Sequence, residues 1–349
     1  MGQEQEETIR VGLLGYGPAF GMGTHHSERI ADTQGVELAA VCDRDPARLE
    51  AAKEEQGEHL STFTDASEMA ASGTVDLGIV ILPHAYHAMG IRTLLEGGIH
   101  VVTEKPFAVH VADCDELIAL ARERGVMLSV YHNRHWDSDV LTLLHIIESG
   151  RIGEVYSMEC AMMRYARPPQ WWRSHKEISG GTMYDMGAHQ FEKVLQLVPK
   201  QNSKGEPINR RASLYGHSVT KRWHDTTNED YVRAYARFDR GVEAQVKVGS
   251  LGAAPEPLWT VLGTRGAVVI DNFGGEGRVS IIDEQGERLD ADIVPVTRPN
   301  GYYKNMVDHL QTGVPLIITP EWAKGPIQCI EGCETAAREN RVVEVEFDF

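Results

Sequence analysis

Hydrophobic positions in the first third of the chain fall into short apolar runs separated by amphipathic stretches, the alternation expected of successive β-strands and α-helices. Thr8 to Leu14 and Val36 to Cys42 read as strands. Asp45-Pro46 then supplies an N-cap with proline at the first helical position, which predicts a helix through Gln56. Val75 to Leu82 is almost unbroken apolar sequence, as a central parallel strand covered on both faces requires. His84 to Glu96 reads as a helix stopped by Gly97-Gly98, and Ile99 to Thr103 as a strand. Val111 to Arg124 is a helix with Val111, Cys114, Leu117, Ile118 and Ala121 on one face. Repeated βα units of this kind imply a right-handed, doubly wound parallel sheet.

Beyond Tyr131 the pattern changes. A helix is expected near Asp139 to Ser149, a strand over Glu154 to Arg164, and a helix over Thr182 to Val198. Strands then dominate from Ala212: Tyr231 to Phe238, Val242 to Leu251, Trp259 to Gly263, Ala267 to Asp271 and Val279 to Asp283. Their short turns favour an antiparallel sheet. Helices over Tyr302 to Thr312 and Pro320 to Asn340 precede a last strand, Val342 to Phe347; Gln201 to Pro207 is the most linker-like piece. The expected fold class is α/β, a doubly wound parallel sheet in domain 1–125 followed by an α+β domain, 126–349, with a large, mostly antiparallel sheet.

With 349 residues, there is sequence enough for two cored domains. A net charge of −17 and the lack of any Lys/Arg cluster remove nucleic acid as a partner. No apolar run approaches the length of a membrane span, and the polar, acidic start from Met1 to Thr8 is not that of a secretory signal. Five scattered cysteines without a CxxC point to a reducing, cytoplasmic setting. Three histidine pairs, His25-His26, His84/His87 and His132/His135, lack the cysteine or carboxylate companions of a metal site, so no metal is expected.

Gly12-x-x-Gly15-x-Gly17 leaves the first strand ahead of a helix, the setting in which glycines let backbone approach a pyrophosphate. Read from Gly15, the motif's last glycine is replaced by Phe20, and Pro18 removes one amide donor. Asp43, at the end of the second strand, stands where a carboxylate accepts hydrogen bonds from an adenosine ribose. It repels a 2′-phosphate and so favours NAD, while the adjacent Arg44 keeps NADP open. Gly12, Gly15, Tyr16, Gly17, Asp43 and Arg44 are therefore the first cofactor-binding candidates.

From Val101 the chain reads VVTEKPF, and from Gly180 it reads GGTMYDMGAHQ. With the glycine turn before them, these motifs resemble the glucose-fructose oxidoreductase / inositol dehydrogenase / rhizopine-catabolism (Gfo/Idh/MocA) family. The likeness extends through VYHNRHWDSD, WTVLGTRGAVVID and the YYKNMVDHLQTGVPLIITPE region, and its look is nearest to the scyllo-inositol dehydrogenase-like branch. The resemblance implies an NAD(P)-dependent oxidoreductase with Lys105, Asp185 and His189 as the catalytic set. It implies contacts to the cofactor from Glu104, Lys105, Pro83 and His87, and a Lys105-Pro106 bond that is often cis. It also implies a homo-oligomer joined through the C-terminal sheet. Read singly, Asp185 is a first-turn carboxylate, His189 a core histidine and Lys105 a surface lysine; their combination and order carry the assignment. Asp185 and His189, at i and i+4, would share a helix face. A histidine titrating near neutrality suits a base that takes a carbinol proton, and Lys105 would hold the same oxygen.

The segment Arg164 to Arg173 concentrates aromatics and arginines where the family builds its substrate wall. Tyr165, Trp171, Trp172 and Arg173, with His132 and Asn133, are substrate-binding candidates for a sugar or polyol whose secondary hydroxyl is oxidised. Two other uses stay open: an NAD-dependent glycosidase that oxidises transiently and eliminates the aglycone, and a non-catalytic dinucleotide or sugar sensor.

Overall fold

The first strand forms over Ile9–Leu14 (β1) and is almost wholly buried, as a strand covered on both faces must be. A computed structural model describes residues 8–201 and 205–349; the start before Thr8 and residues 202–204 of the linker-like stretch lie outside the described residues. Five further strands join β1: β2 (Val36–Cys42), β3 (Ser61–Phe63), β4 (Leu77–Val80), β5 (His100–Thr103) and β6 (Leu128–Val130). They pair in parallel in the order β3-β2-β1-β4-β5-β6, so the connections reverse direction between β1 and β4. Such a switch point opens a crevice at the carboxyl ends of the strands.

Helices α1 (Met22–Ala31), α2 (Pro46–Gln56), α3 (Ala66–Ala71), α4 (His87–Glu96) and α5 (Val111–Arg124) make the crossovers. The Asp45 side chain accepts from the Ala47 amide and caps α2 as its sequence predicts. The short β3 and α3 were not expected: three strand residues are too few for a period to register.

The chain divides into two units, and the division differs from the boundary expected near residue 125. The first unit runs through His132 and also takes Gly301–Ala323; the second comprises Asn133–Asn300 and Lys324–Phe349. The return of residues 301–323 has a physical cause. Tyr302 is buried and donates its hydroxyl to Ser129 Oγ of β6 at 2.8 Å, and Ser129 donates to the Ile318 carbonyl at 2.8 Å.

In the second unit α6 (Ser138–Glu148), β7 (Val155–Met163), α7 (Lys176–Ser179) and α8 (Ala188–Leu197) precede β8 (Arg211–Val219), β9 (Tyr231–Phe238) and β10 (Glu243–Gly249). β11 (Trp259–Gly263), β12 (Gly266–Ile270), β13 (Gly277–Ile282) and β14 (Arg288–Asp292) follow. The chain then forms α9 (Tyr302–Thr312) in the first unit, α10 (Pro320–Glu339) and the final β15 (Val343–Glu346). The nine-stranded sheet runs β14-β13-β12-β11-β7-β10-β9-β8-β15, with β7 and β10 parallel and the other pairs antiparallel. This is the mostly antiparallel sheet expected.

A buried charge fixes α8. Lys193 Nζ donates to both oxygens of Asp139 at 2.7 and 2.9 Å, and Trp259 Nε1 donates to the same carboxylate at 2.9 Å. Removing one member of such a buried pair costs about 3–5 kcal/mol. The helix that carries His189 is thereby held to α6 and β11.

Candidate active site

The chain leaves β1 at Gly15, whose φ of +104° is one that residues with a side chain rarely adopt, and a Cβ there would lie 2.8 Å from the Ile81 carbonyl oxygen. Gly17 faces open space. The turn continues through a 3-10 segment, Ala19–Gly21, before α1 begins. Phe20, in the place of the motif's last glycine, still takes a left-handed φ of +63°. Asp43 braces this turn: Oδ2 accepts from the Tyr16 amide at 2.8 Å and Oδ1 from the Asp45 amide at 2.9 Å. A carboxylate has about four acceptor positions, so capacity is left for a ribose hydroxyl. Arg44 beside it is exposed, and Pro83 is half-buried after β4. An open glycine cradle at the switch point with an acid beside it fits an adenine dinucleotide.

Two cofactor candidates in this region also have packing roles. Gly12 lies inside β1, where a Cβ would come 2.8 Å from a Val75 methyl and 3.0 Å from the Met69 sulfur, so packing dictates the glycine. The Tyr16 ring is buried against Gly23, and its hydroxyl donates to Glu55 of α2 at 2.7 Å, so the side chain anchors α1 and α2.

Glu104-Lys105-Pro106 follows β5 at the same carboxyl edge, with the Lys105–Pro106 peptide cis and Lys105 buried to 8% exposure. Glu104 Oε2 accepts the Lys105 amide at 3.2 Å, and Oε1 lies 3.0 Å from His26 Nε2. Burial pushes the Glu104 carboxyl up, but the His26 hydrogen bond and the neighbouring charges outweigh it and hold it below its ordinary value. His87 is fully buried, its ring nitrogens 2.7 Å from the Pro106 and 2.8 Å from the Leu82 carbonyl oxygens. Burial lowers its pKa. So enclosed, His87 ties the loop after β4 to the lysine turn. His132 ends the first unit, buried beyond β6.

In the second unit the helix expected over Thr182 to Val198 begins with a π-helical turn, Met183–Gly187, and becomes α-helical as α8. The wider turn closes over the Met183 thioether, which occupies the space a Cβ at Gly187 would need. Asp185 thus stands on a π turn and His189 on the α-helix, a local geometry found often at functional sites. Asp185 Oδ1 accepts from Arg173 Nη1 at 2.6 Å, both side chains being largely buried. The Arg173 guanidinium lies 4.9 Å from the Trp172 ring and 5.4 Å from that of Trp171. Arg173 therefore serves a predicted catalytic carboxylate, which the sequence pattern did not indicate.

Tyr165 belongs to another group. It is 52% exposed, its ring 6.4 Å from Trp223 and 5.7 Å from the Arg222 guanidinium. Arg222 and Trp223 were not candidates; their loop is fixed by Asp230, whose carboxylate accepts both their amides and that of Lys221. Asn133 opens the second unit, its carbonyl accepting from Asn300 at 3.2 Å. Among the described residues no group of three or more His, Cys, Asp or Glu side chains could hold a metal ion.

Comparison with known proteins adds to this geometry. Residues 9–132 match the model of an oxidoreductase family with an NAD-binding Rossmann fold, and residues 140–269 match that of the GFO/IDH/MocA C-terminal domain. The uncharacterized oxidoreductase YdgJ of Escherichia coli (strain K12) is 31% identical over 286 residues, covering 81% of this chain and 74% of that protein. The scyllo-inositol 2-dehydrogenase (NADP(+)) IolW of Bacillus subtilis (strain 168) is 25% identical, with 99% and 98% covered. Among solved structures, an NAD-binding protein from Listeria innocua superposes with a TM-score of 0.85 at 25% identity, covering 97% of each chain.

Proposed function

Because the chain belongs to the GFO/IDH/MocA family of NAD(P)-dependent oxidoreductases, we propose that it interconverts a secondary hydroxyl and a ketone on a sugar or an inositol-type polyol. The observation that carries this reading is the strand order. It sets the Gly15 turn after β1 and the buried Lys105 after β5 on one carboxyl edge, with β4 between them. Similarity to IolW, named for an inositol substrate, supports the substrate class.

Gly15, Gly17, Asp43 and Pro83 would hold the dinucleotide, and Arg44 would meet a 2′-phosphate if one is present. Asp43 at the ribose position favours NAD. When bound, the nicotinamide supplies the hydride acceptor. Lys105 Nζ holds the hydroxyl oxygen and stabilises negative charge as it develops. His189 takes the hydroxyl proton, and Asp185, kept in place by Arg173, accepts from the substrate or steadies the imidazole. Trp171 and Trp172 offer faces for sugar C–H groups. The catalytic set is thus Lys105, Asp185 and His189.

The exposed face of the nine-stranded sheet carries Tyr215 and Tyr235, with ring centres 6.3 Å apart, and Arg233 donates to the Tyr235 hydroxyl at 3.1 Å. A tyrosine- and arginine-rich face supports self-association through this sheet. The five cysteines are buried and none is in a disulfide, which supports a reducing, cytoplasmic setting.

A panel of polyols and sugars screened with NAD and NADP, reading nicotinamide absorbance, tests the proposal. One or more members should be oxidised. Lys105→Met should lower turnover at least about 100-fold while NADH still binds. Turnover of this variant near the wild-type rate overturns the role of Lys105. Aglycone release from a nitrophenyl glycoside without net NADH would replace the dehydrogenase reading with the glycosidase one.

A further inference from the structure

His25-His26 carries no metal companions and has no part in the chemistry so far, yet His26 is wholly buried at the centre of a polar chain in the first unit. Its Nδ1 lies 2.5 Å from the Tyr303 hydroxyl and its Nε2 lies 3.0 Å from Glu104 Oε1. The second Glu104 oxygen accepts the Lys105 amide. We propose that His26 and Tyr303 are positioning residues for Lys105, acting through Glu104. The proposal rests on Lys105 being catalytic.

Hydrogen-bond chemistry sets the carboxylate end of the chain. Glu104 is held ionised and can only accept, so His26 presents Nε2–H to it. In the proposed arrangement Nδ1 accepts from the Tyr303 phenol, 2.5 Å away. Burial raises the Tyr303 pKa, which keeps that proton on the phenol. The order Tyr303 O–H to Nδ1, Nε2–H to carboxylate, carboxylate to Lys105 N–H satisfies each of these groups. The groups around His26 match this polarity: His25, Tyr131 and Tyr303 pack on its ring, and Tyr131, also raised by burial, keeps its proton.

The consequence is mechanical. Glu104 has two oxygens and two fixed partners, so its carboxylate cannot turn without breaking one bond. The main chain at Lys105 is held before the lysine by this carboxylate and after it by His87 at the Pro106 carbonyl. Tyr303 comes from α9, and His26 from α1, so two helices remote in sequence set the direction of one lysine. Misplacing a catalytic group by about 1 Å costs on the order of 100-fold in rate.

Tyr303→Phe removes one hydroxyl and is the least disruptive test; His26→Asn is the second. With the best substrate of the panel, both should lower kcat by about 10- to 100-fold, with KM and the Kd for NADH within about twofold of wild type. Ring-nitrogen NMR of 15N-histidine-labelled protein should find His26 as the Nε2–H tautomer in the wild type, and Tyr303→Phe should change that signal. Values of kcat within twofold of wild type in both variants, while Lys105→Met is inactive, overturn the positioning role and leave the dehydrogenase reading standing. An Nδ1–H tautomer in the wild type also overturns it. A fully active Lys105→Met would remove the premise and the inference together.

Discussion

The turn that carries Lys105 and the turn that carries Asp185 are supported differently. Around Lys105 the supports are buried: His26 and His87 are wholly enclosed and Glu104 joins them. Around Asp185 the partner is an arginine whose guanidinium lies beside two half-buried tryptophans on an irregular segment. A buried chain of hydrogen bonds has few alternative arrangements, because each broken bond leaves an unsatisfied polar group in low dielectric. The Arg173–Asp185 pair, largely buried, still keeps 16% and 19% of its side-chain surface open, so water or a ligand can reach it. The first arrangement suits a step common to any substrate, and the second suits adjustment to a particular one.

The sharpest way to break this contrast is at His189, which stands beyond the π turn and is assigned the proton transfer itself. His189→Ala should lower kcat by about 100- to 10,000-fold without loss of NADH binding. Steady-state kinetics with fluorescence titration of NADH decide it, and a rate within tenfold of wild type removes His189 from the base role.

A smaller effect is expected at Arg173. Lysine keeps the charge but lacks the planar fork and the face that lies against Trp172. Arg173→Lys should raise KM for the substrate by about tenfold and change kcat less than Tyr303→Phe does. If kcat falls further than in the Tyr303 variant, the two turns are equally rigid and the contrast fails.

The smallest expected effect compares how acid acts on the two units. In the first, Arg10 bonds Asp76 through its side chain and its amide and holds that carboxyl below its ordinary value. A depressed folded pKa contributes stability above the unfolded value, and this is lost as pH falls through the folded one. In the second, burial pushes Glu334 up, and Lys176 only partly opposes it. A raised folded pKa acts in the other direction, its contribution fading as pH rises. Urea unfolding from about pH 7 down to pH 3 should find that Arg10→Ala loses most stability at the upper end and converges on wild type in acid. Glu334→Gln should diverge from wild type in the opposite sense. Parallel curves for both variants would show that these shifts do not reach stability.

Much of the frame was legible because its signals are local. The Asp45-Pro46 cap, the helix Val111–Arg124 and the strand Val36–Cys42 form where capping, amphipathicity and apolar runs put them. β14 escaped notice because it is exposed along its whole length and so has no alternation to read. The Met183–Gly187 turn was expected to be α-helical, since a π turn arises from how one methionine packs over one glycine and leaves no period in the sequence. Gly12 could be read as part of a cofactor loop because the motif counts glycines, but the crowding by Val75 and Met69 that also requires a glycine there could not be read. The spacing of Glu104-Lys105-Pro106 and of Asp185 and His189 could be read directly. Their partners could not.

The sequence by itself determined the family, the two kinds of sheet and the NAD-binding turn, since each depends on residues close together along the chain. Only the tertiary structure decided what holds the candidate catalytic side chains. Tyr303 reaches His26 across a separation of 277 residues, and residues 301–323 join the first unit although they follow eight of the nine strands of the second sheet along the chain. The strength of such a bond lies in burial and in matching one donor to one acceptor. Neither quantity exists until the chain has folded, and so neither leaves a pattern in the order of the residues.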